Sequence, residues 1–197
     1  FNNFVEEDCE ELKRNNKLYL TILMRYKDYI EENESLNVAE LPRLITPEDP
    51  QITAFVNKIK DNFPNFSYEK NFYEVALMLH KHVKEEIAIV NLPVQFWLMP
   101  SETITIGAGD LIDKATLLCS ELIALGNITA KVIIKVNENE RRIGVYCEYN
   151  GKISYFDIDD GAYVFDNKEE MLKSLGIKQG NNVSAYEFNN HMYNDLA

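Results

Sequence analysis

The run Gly107-Ala108-Gly109-Asp110-Leu111-Ile112-Asp113-Lys114-Ala115 fixes the start of a helix, and so constrains the fold more than any other stretch of the chain. The Asp110 side chain can accept hydrogen bonds from the unpaired backbone N–H groups of a first helical turn. Asp113, three residues on, favours the same helix end. From there Leu111, Ala115, Leu118, Leu122 and Leu125 recur at three-four spacing until Gly126-Asn127 stops the run, which predicts a core helix of about four turns.

Downstream, alternation predicts three strands over 130–136, 142–149 and 152–158. Asn150-Gly151 between alternating residues signals a tight hairpin, and residues 137–141 make a looser turn, so the three form an antiparallel meander. On the middle strand Ile143, Val145, Cys147 and Tyr149 share one face, while Gly144, Tyr146 and Glu148 share the other. A short helix over 168–175 ends at Gly176, and a tail with Tyr186, Phe188 and Tyr193 is expected to dock on the body. Upstream, helices are predicted over 68–87 and from Ile52 to Phe63, preceded by a linker with Pro42, Pro47 and Pro50. Residues 4–33 predict one long or two short helices, with Asn15-Asn16 as the break and Glu6-Glu7-Asp8 as an acidic first turn. The expected division is a helical extension over 1–63 and a main domain over 64–197, packed together as one unit.

From about residue 67 to 165 this order of features resembles the transglutaminase-like superfamily of papain-type cysteine enzymes. There, a Gly-Asp-Cys turn opens a helix that runs to a small-residue stop and then an antiparallel sheet. The matching residues are the helix from Tyr73 to Ile87, a link with Trp97, Pro100, Glu102 and Thr103, the turn Gly109-Asp110-Leu111, the stop at Gly126, and the strand opening Ala130-Lys131-Val132. The resemblance implies an α+β fold, transglutaminase-like or cysteine-proteinase-like, with helices packed on an antiparallel sheet and an N-terminal helical extension. It also implies the family's catalytic positions at Leu111 (nucleophile), Gly144 (base) and Asp157, of which only the aspartate is kept.

Those replacements matter chemically. A cysteine at a helix start beside an imidazolium can have its pKa lowered to roughly 3.5–7.5, and its thiolate is the nucleophile; leucine offers nothing equivalent. Loss of a nucleophile in a triad enzyme costs on the order of 10⁶ in turnover. No histidine lies between His82 and His191, so a shift of alignment restores no base. The expectation is a family fold without the family's reaction, not an enzyme, and without cofactor or metal.

The net charge of −12 and pI near 4.7 repel phosphate backbones and anionic lipid, and the small basic groups Lys81-His82-Lys84 and Arg141-Arg142 do not reverse this. Nucleic acid and membrane contact are therefore not expected of this segment. Cys9, Cys119 and Cys147 are too far apart for a disulfide framework or a metal knuckle. Unpaired, they favour a reducing, cytoplasmic setting. The chain opens on Phe1 rather than Met, so the expectation is a fragment with a part missing upstream, in which an anchor or signal could lie. His82 with Glu86 reads as a solvated surface pair. Asp157, Asp159 and Asp160 lack the rest of a calcium loop.

The expected function is binding of a protein or peptide through the former substrate groove, between the helix opened by Asp110 and the strand carrying Tyr146. Trp97 and Tyr146 would be its aromatic walls, with Asp110 and Glu148 at its rim; core packing of both aromatics is the alternative. Two further readings are an enzyme of other chemistry using Asp110, Glu148 and Asp157 as a carboxylate cluster, and an assembly module whose interfaces lie on the N-terminal helices.

Overall fold

The computed structural model describes residues 2–34, 37–91, 93–137, 140–178 and 183–197. It forms two compact units, one made of residues 1–36 with 91–96 and the other of 37–90 with 97–197. In the first unit α1 (Asn2–Arg25) runs unbroken through Asn15-Asn16, and the interruption falls at Tyr26, before α2 (Lys27–Glu34). The side chains of the Glu6-Glu7-Asp8 run lie outside the described residues.

The second unit begins with a 3₁₀ turn, Val38–Leu44, in the expected proline linker. Asn37 and Glu40 cap it reciprocally. Helix α3 (Pro50–Lys60) starts on the Asp49 side chain and buries Ile52 and Val56. It packs on the later core helix, inside this unit rather than with the N-terminal extension. Helix α4 (Tyr68–Glu85) buries Phe72, Val75, Ala76, Leu79 and Val83. Strand β1 (Ala88–Ile89) pairs in parallel with β2 (Ala108–Gly109), and between them the expected link contains a helix, α5 (Pro100–Ile106), opened by Pro100 and by Glu102 accepting the Met99 N–H.

The predicted core helix is α6 (Leu111–Ala124), nearly all of it buried. It leads into β3 (Lys131–Val136), β4 (Arg141–Tyr149) and β5 (Lys152–Asp157). At the β4–β5 turn Asn150 and Gly151 both have positive φ, 52° and 72°, as the tight hairpin requires. Three strands absent from the sequence-based expectation complete the sheet: β6 (Ala162–Phe165), then after α7 (Lys168–Ser174) the hairpin β7 (Ser184–Asn189) and β8 (Met192–Asp195). The six strands are antiparallel in the order β6-β5-β4-β3-β7-β8, so the aromatic tail does not merely dock; it supplies two strands beside β3.

One face of this sheet packs on the helices: Phe72 of α4 lies 4.8 Å from Tyr149, and His80 lies 5.6 Å from Phe156, ring centre to ring centre. The other face is covered by α7, where Ile133, Tyr146, Ile153 and Tyr155 pack with Met171, Leu175 and Ile177. No helix among the described residues is long and apolar enough to cross a membrane.

Candidate functional site

The start of α6 is held by two carboxylates. Asp110 Oδ1 accepts from the N–H groups of Ile112 and Asp113 at 2.7 and 2.9 Å. Asp113 Oδ2 accepts from the Asp110 N–H at 2.8 Å, and its Oδ1 accepts from Leu98 N–H at 2.8 Å, tying the α5 link to the helix. Gly109 lets this happen: a Cβ there would lie 2.7 Å from the Asp113 Cβ. Burial, with Asp110 and Glu102 nearby, pushes the Asp113 carboxyl up to about 7 despite its backbone donors. Leu111 itself is half-buried, not sealed against the sheet.

Several exposed apolar residues lie on the backbone segments next to this start. Register sets Ile89 opposite Gly109, two residues before Leu111, and the Ala88 N–H donates to Gly107 O, next to Ile106. Ile89, Val90 and Ile106 are 50, 42 and 60% exposed, and Trp97 is half-buried beside Leu98, whose N–H is fixed by Asp113. A shallow depression of about 200 Å³ opens between α3 and α5, lined by Gln51, Ser101, Glu102, Thr105 and Ile106.

The expected second wall is not there. Tyr146 is 2% exposed and belongs to the core on the α7 face of the sheet, with its hydroxyl donating to Glu187 at 2.5 Å. Gly144 and Asp157 are paired across β4 and β5 on that same face. Side chains alternate along a strand, so a group on β4 facing α4 and α6 would come from Ile143 or Val145 rather than Gly144. Gly144 has a packing reason instead. A Cβ there would lie 2.4 Å from the Tyr155 ring, which is buried and donates its hydroxyl to Asp157 Oδ2 at 3.1 Å.

Nor do Asp110, Glu148 and Asp157 form a cluster. Glu148 is exposed beside the hairpin, four residues and so about 13 Å along β4 from the partner of Asp157. It borders a depression of about 450 Å³ at the hairpin that also includes Thr129, Lys152 and Lys168. Asp157 is turned into its own loop, where Oδ1 accepts the N–H groups of Asp159 and Asp160 at 3.1 and 3.2 Å.

Several buried polar groups were not legible as such. Lys114, 1% exposed, donates its ammonium to Lys84 O and Ile87 O at the end of α4. His80 Nε2 donates to Asp157 O at 2.7 Å, and burial lowers its pKa. His82 does not pair with Glu86 in solvent; it turns inward against Phe55 and the fully buried Glu121. Glu187 accepts from Tyr146 and, at 2.7 Å, from Lys168. Burial would raise its pKa, but these donors and Lys131 hold it below the ordinary value. The thiols of Cys119 and Cys147 are both buried, which pushes Cys119 far up and Cys147 to about 12.

No protein-family model matches the sequence, and no curated protein matches it. Among solved structures, a candidate protease from Parabacteroides distasonis superposes over 80% of this chain with a TM-score of 0.53 at 13% identity; this chain spans only 30% of that protein. Legionella pneumophila LapG aligns over 83% of this chain and 90% of its own length, with a TM-score of 0.49 at 14% identity. The expected α+β fold, helices on an antiparallel sheet, is thus shared with the Parabacteroides distasonis structure.

Proposed function

We propose that this chain is a non-catalytic domain of protease-like fold that binds a protein or peptide at the apolar surface around the start of α6. The observation that carries the reading is the place of Leu111: a half-buried aliphatic residue occupies the helix start, with the exposed Ile89 and Val90 on the strand paired to Gly109 and the exposed Ile106 next to Gly107. Exposed apolar side chains gathered at one place favour a partner surface, and their burial supplies binding energy without a nucleophile. The chemistry of the thiols supports the first half of the proposal. Cys119 and Cys147 are packed in the core with their protons held tightly, the opposite of an activated nucleophile.

Two measurements test it. Incubation with unstructured polypeptide substrates should give no cleavage or acyl transfer sensitive to alkylation, and alkylation-sensitive turnover would overturn the non-catalytic reading. Selection from a displayed random-peptide library should give binders that lose affinity by about tenfold or more when Ile89 and Ile106 are both changed to Asp. Binders indifferent to that change would remove the α6 start as the site.

A further inference from the structure

Strand β6 forms one outer edge of the six-stranded sheet; it is short, but it carries none of the charges, prolines or bulges that also blunt such an edge. Its four residues, Ala162-Tyr163-Val164-Phe165, include no charge and no proline, and they pair with β5 one for one, without a bulge. The opposite edge, β8, ends in Asn194-Asp195. Because the Asp157 N–H donates to Gly161 O, the pairs 157/161, 155/163 and 153/165 exchange the hydrogen bonds of the ladder. Ala162 and Val164 therefore turn their N–H and C=O groups away from β5. Tyr163 and Val164 are 43 and 48% exposed beside them.

The surroundings state what would fit. From residue 157 to 170 the chain holds six carboxylates, Asp157, Asp159, Asp160, Asp166, Glu169 and Glu170, against one lysine, Lys168. Asp159 and Asp160 lie just before the strand and Asp166 just after it, all exposed. Part of this charge is answered within the molecule: Lys152 lies 3.1 Å from Asp166, Tyr163 donates to Asp160, and Arg142 lies 3.8 Å from Asp157. Both ends nevertheless stay negative in a chain of net charge −12. A second copy is disfavoured here. Antiparallel pairing of two β6 edges would bring Asp159 and Asp160 of one copy against Asp166 of the other.

We infer that the β6 edge accepts an extended, basic polypeptide segment by strand addition, with backbone bonds to Ala162 and Val164 and with lysine or arginine side chains against the aspartates at each end. The inference rests on the reading that the domain binds polypeptide, but assigns a second surface, separate from the α6 start.

The test uses the whole chain and two blocked heptapeptides, Lys-Val-Lys-Thr-Val-Lys-Thr and its analogue with glutamate for every lysine. Affinity is read by fluorescence anisotropy at two salt concentrations and the site by amide hydrogen exchange. The lysine peptide should bind, should weaken with salt, and should protect the amides of Ala162 and Val164. The glutamate peptide should bind at least about tenfold less well. V164P should weaken the lysine peptide by roughly tenfold or more, since it removes an outward N–H without touching the ladder to β5. V164K, which keeps the backbone and adds a repelling charge, serves if V164P unfolds. Binding by both V164P and V164K as tight as by the native chain, or protection elsewhere, would overturn the edge assignment while leaving peptide binding intact. Binding of neither peptide would also overturn it, and the Ile89/Ile106 experiment would still decide the α6 surface separately. Concentration-dependent dimerisation abolished by V164K would overturn it in favour of a second copy.

Discussion

His82 and Glu121 face each other from α4 and α6 with Nδ1 and Oε1 4.0 Å apart, and among the described residues neither atom has a hydrogen-bond partner; both oxygens of Glu121 are buried in the same condition. Two titratable groups whose facing atoms are buried without bonds are biased toward their neutral forms. Burial raises the Glu121 pKa well above 4.5 and lowers that of His82 below 6.5, where Glu86 and Lys58 act on it in opposite senses.

The first prediction concerns this acid. A carboxyl whose pKa is raised by folding contributes stability that is present below its unfolded value and lost as pH rises. Relative to the native chain, E121Q should therefore gain about 1.4 kcal/mol of stability per pH unit from pH 5 upward, until Glu121 itself ionises in the folded state. Urea unfolding at pH 5, 6, 7 and 8 measures this, and a constant difference between the two proteins would show that Glu121 is already ionised when folded.

Asp113 gives a second, separable pH effect. Its folded value of about 7 against 3.8 unfolded has the same sign, so its contribution is complete below about pH 4 and declines as pH rises through 7. D113N should flatten stability across that window. D113A should cost about 2–3 kcal/mol, because the Leu98 and Asp110 N–H groups both lose their acceptor. A cost under about 0.5 kcal/mol would mean that water replaces the carboxylate at both donors.

Gly144 should resist even the smallest enlargement. G144A is expected to cost about 1–3 kcal/mol through overlap with Tyr155, and the same change made in a Y155L background should cost clearly less. Additive effects in the double mutant would show that the ring moves aside freely.

Tyr146 distinguishes a wall from a core. Y146F removes the bond to Glu187 and should cost about 1–2 kcal/mol in unfolding experiments, while leaving peptide affinity unchanged. Weaker peptide binding by a fully folded Y146F protein would restore it to the binding surface.

How these residues divide shows what could be read in advance. The Asp110 and Asp113 caps, the leucine stripe of α6 and the Asn150-Gly151 hairpin rest on local rules, and all three are found. The alternation along β4 was equally clear, but alternation cannot say which face a helix will cover, and so Tyr146 and Gly144 were placed toward α6. Glu121 sat within the apolar stripe, one residue before Leu122, yet a lone acid in a helix ordinarily faces water. Glu187 and β7 depended on pairing with a strand far back in the chain, which no window of sequence contains.

That distant pairing also bears on how the molecule is made. Val132 of β3 stands in register with Val145 of the strand that follows it on one side and with Phe188 on the other. A nascent chain can form the first ladder as soon as β4 leaves the ribosome, but at about 5–20 residues per second the second partner arrives only several seconds later. During that interval the middle of the finished sheet is its open rim, apolar and ready to join any strand nearby. The growing polypeptide is thus open to misassembly between the appearance of β4 and that of β7, and a chaperone acting on it would be needed in that interval.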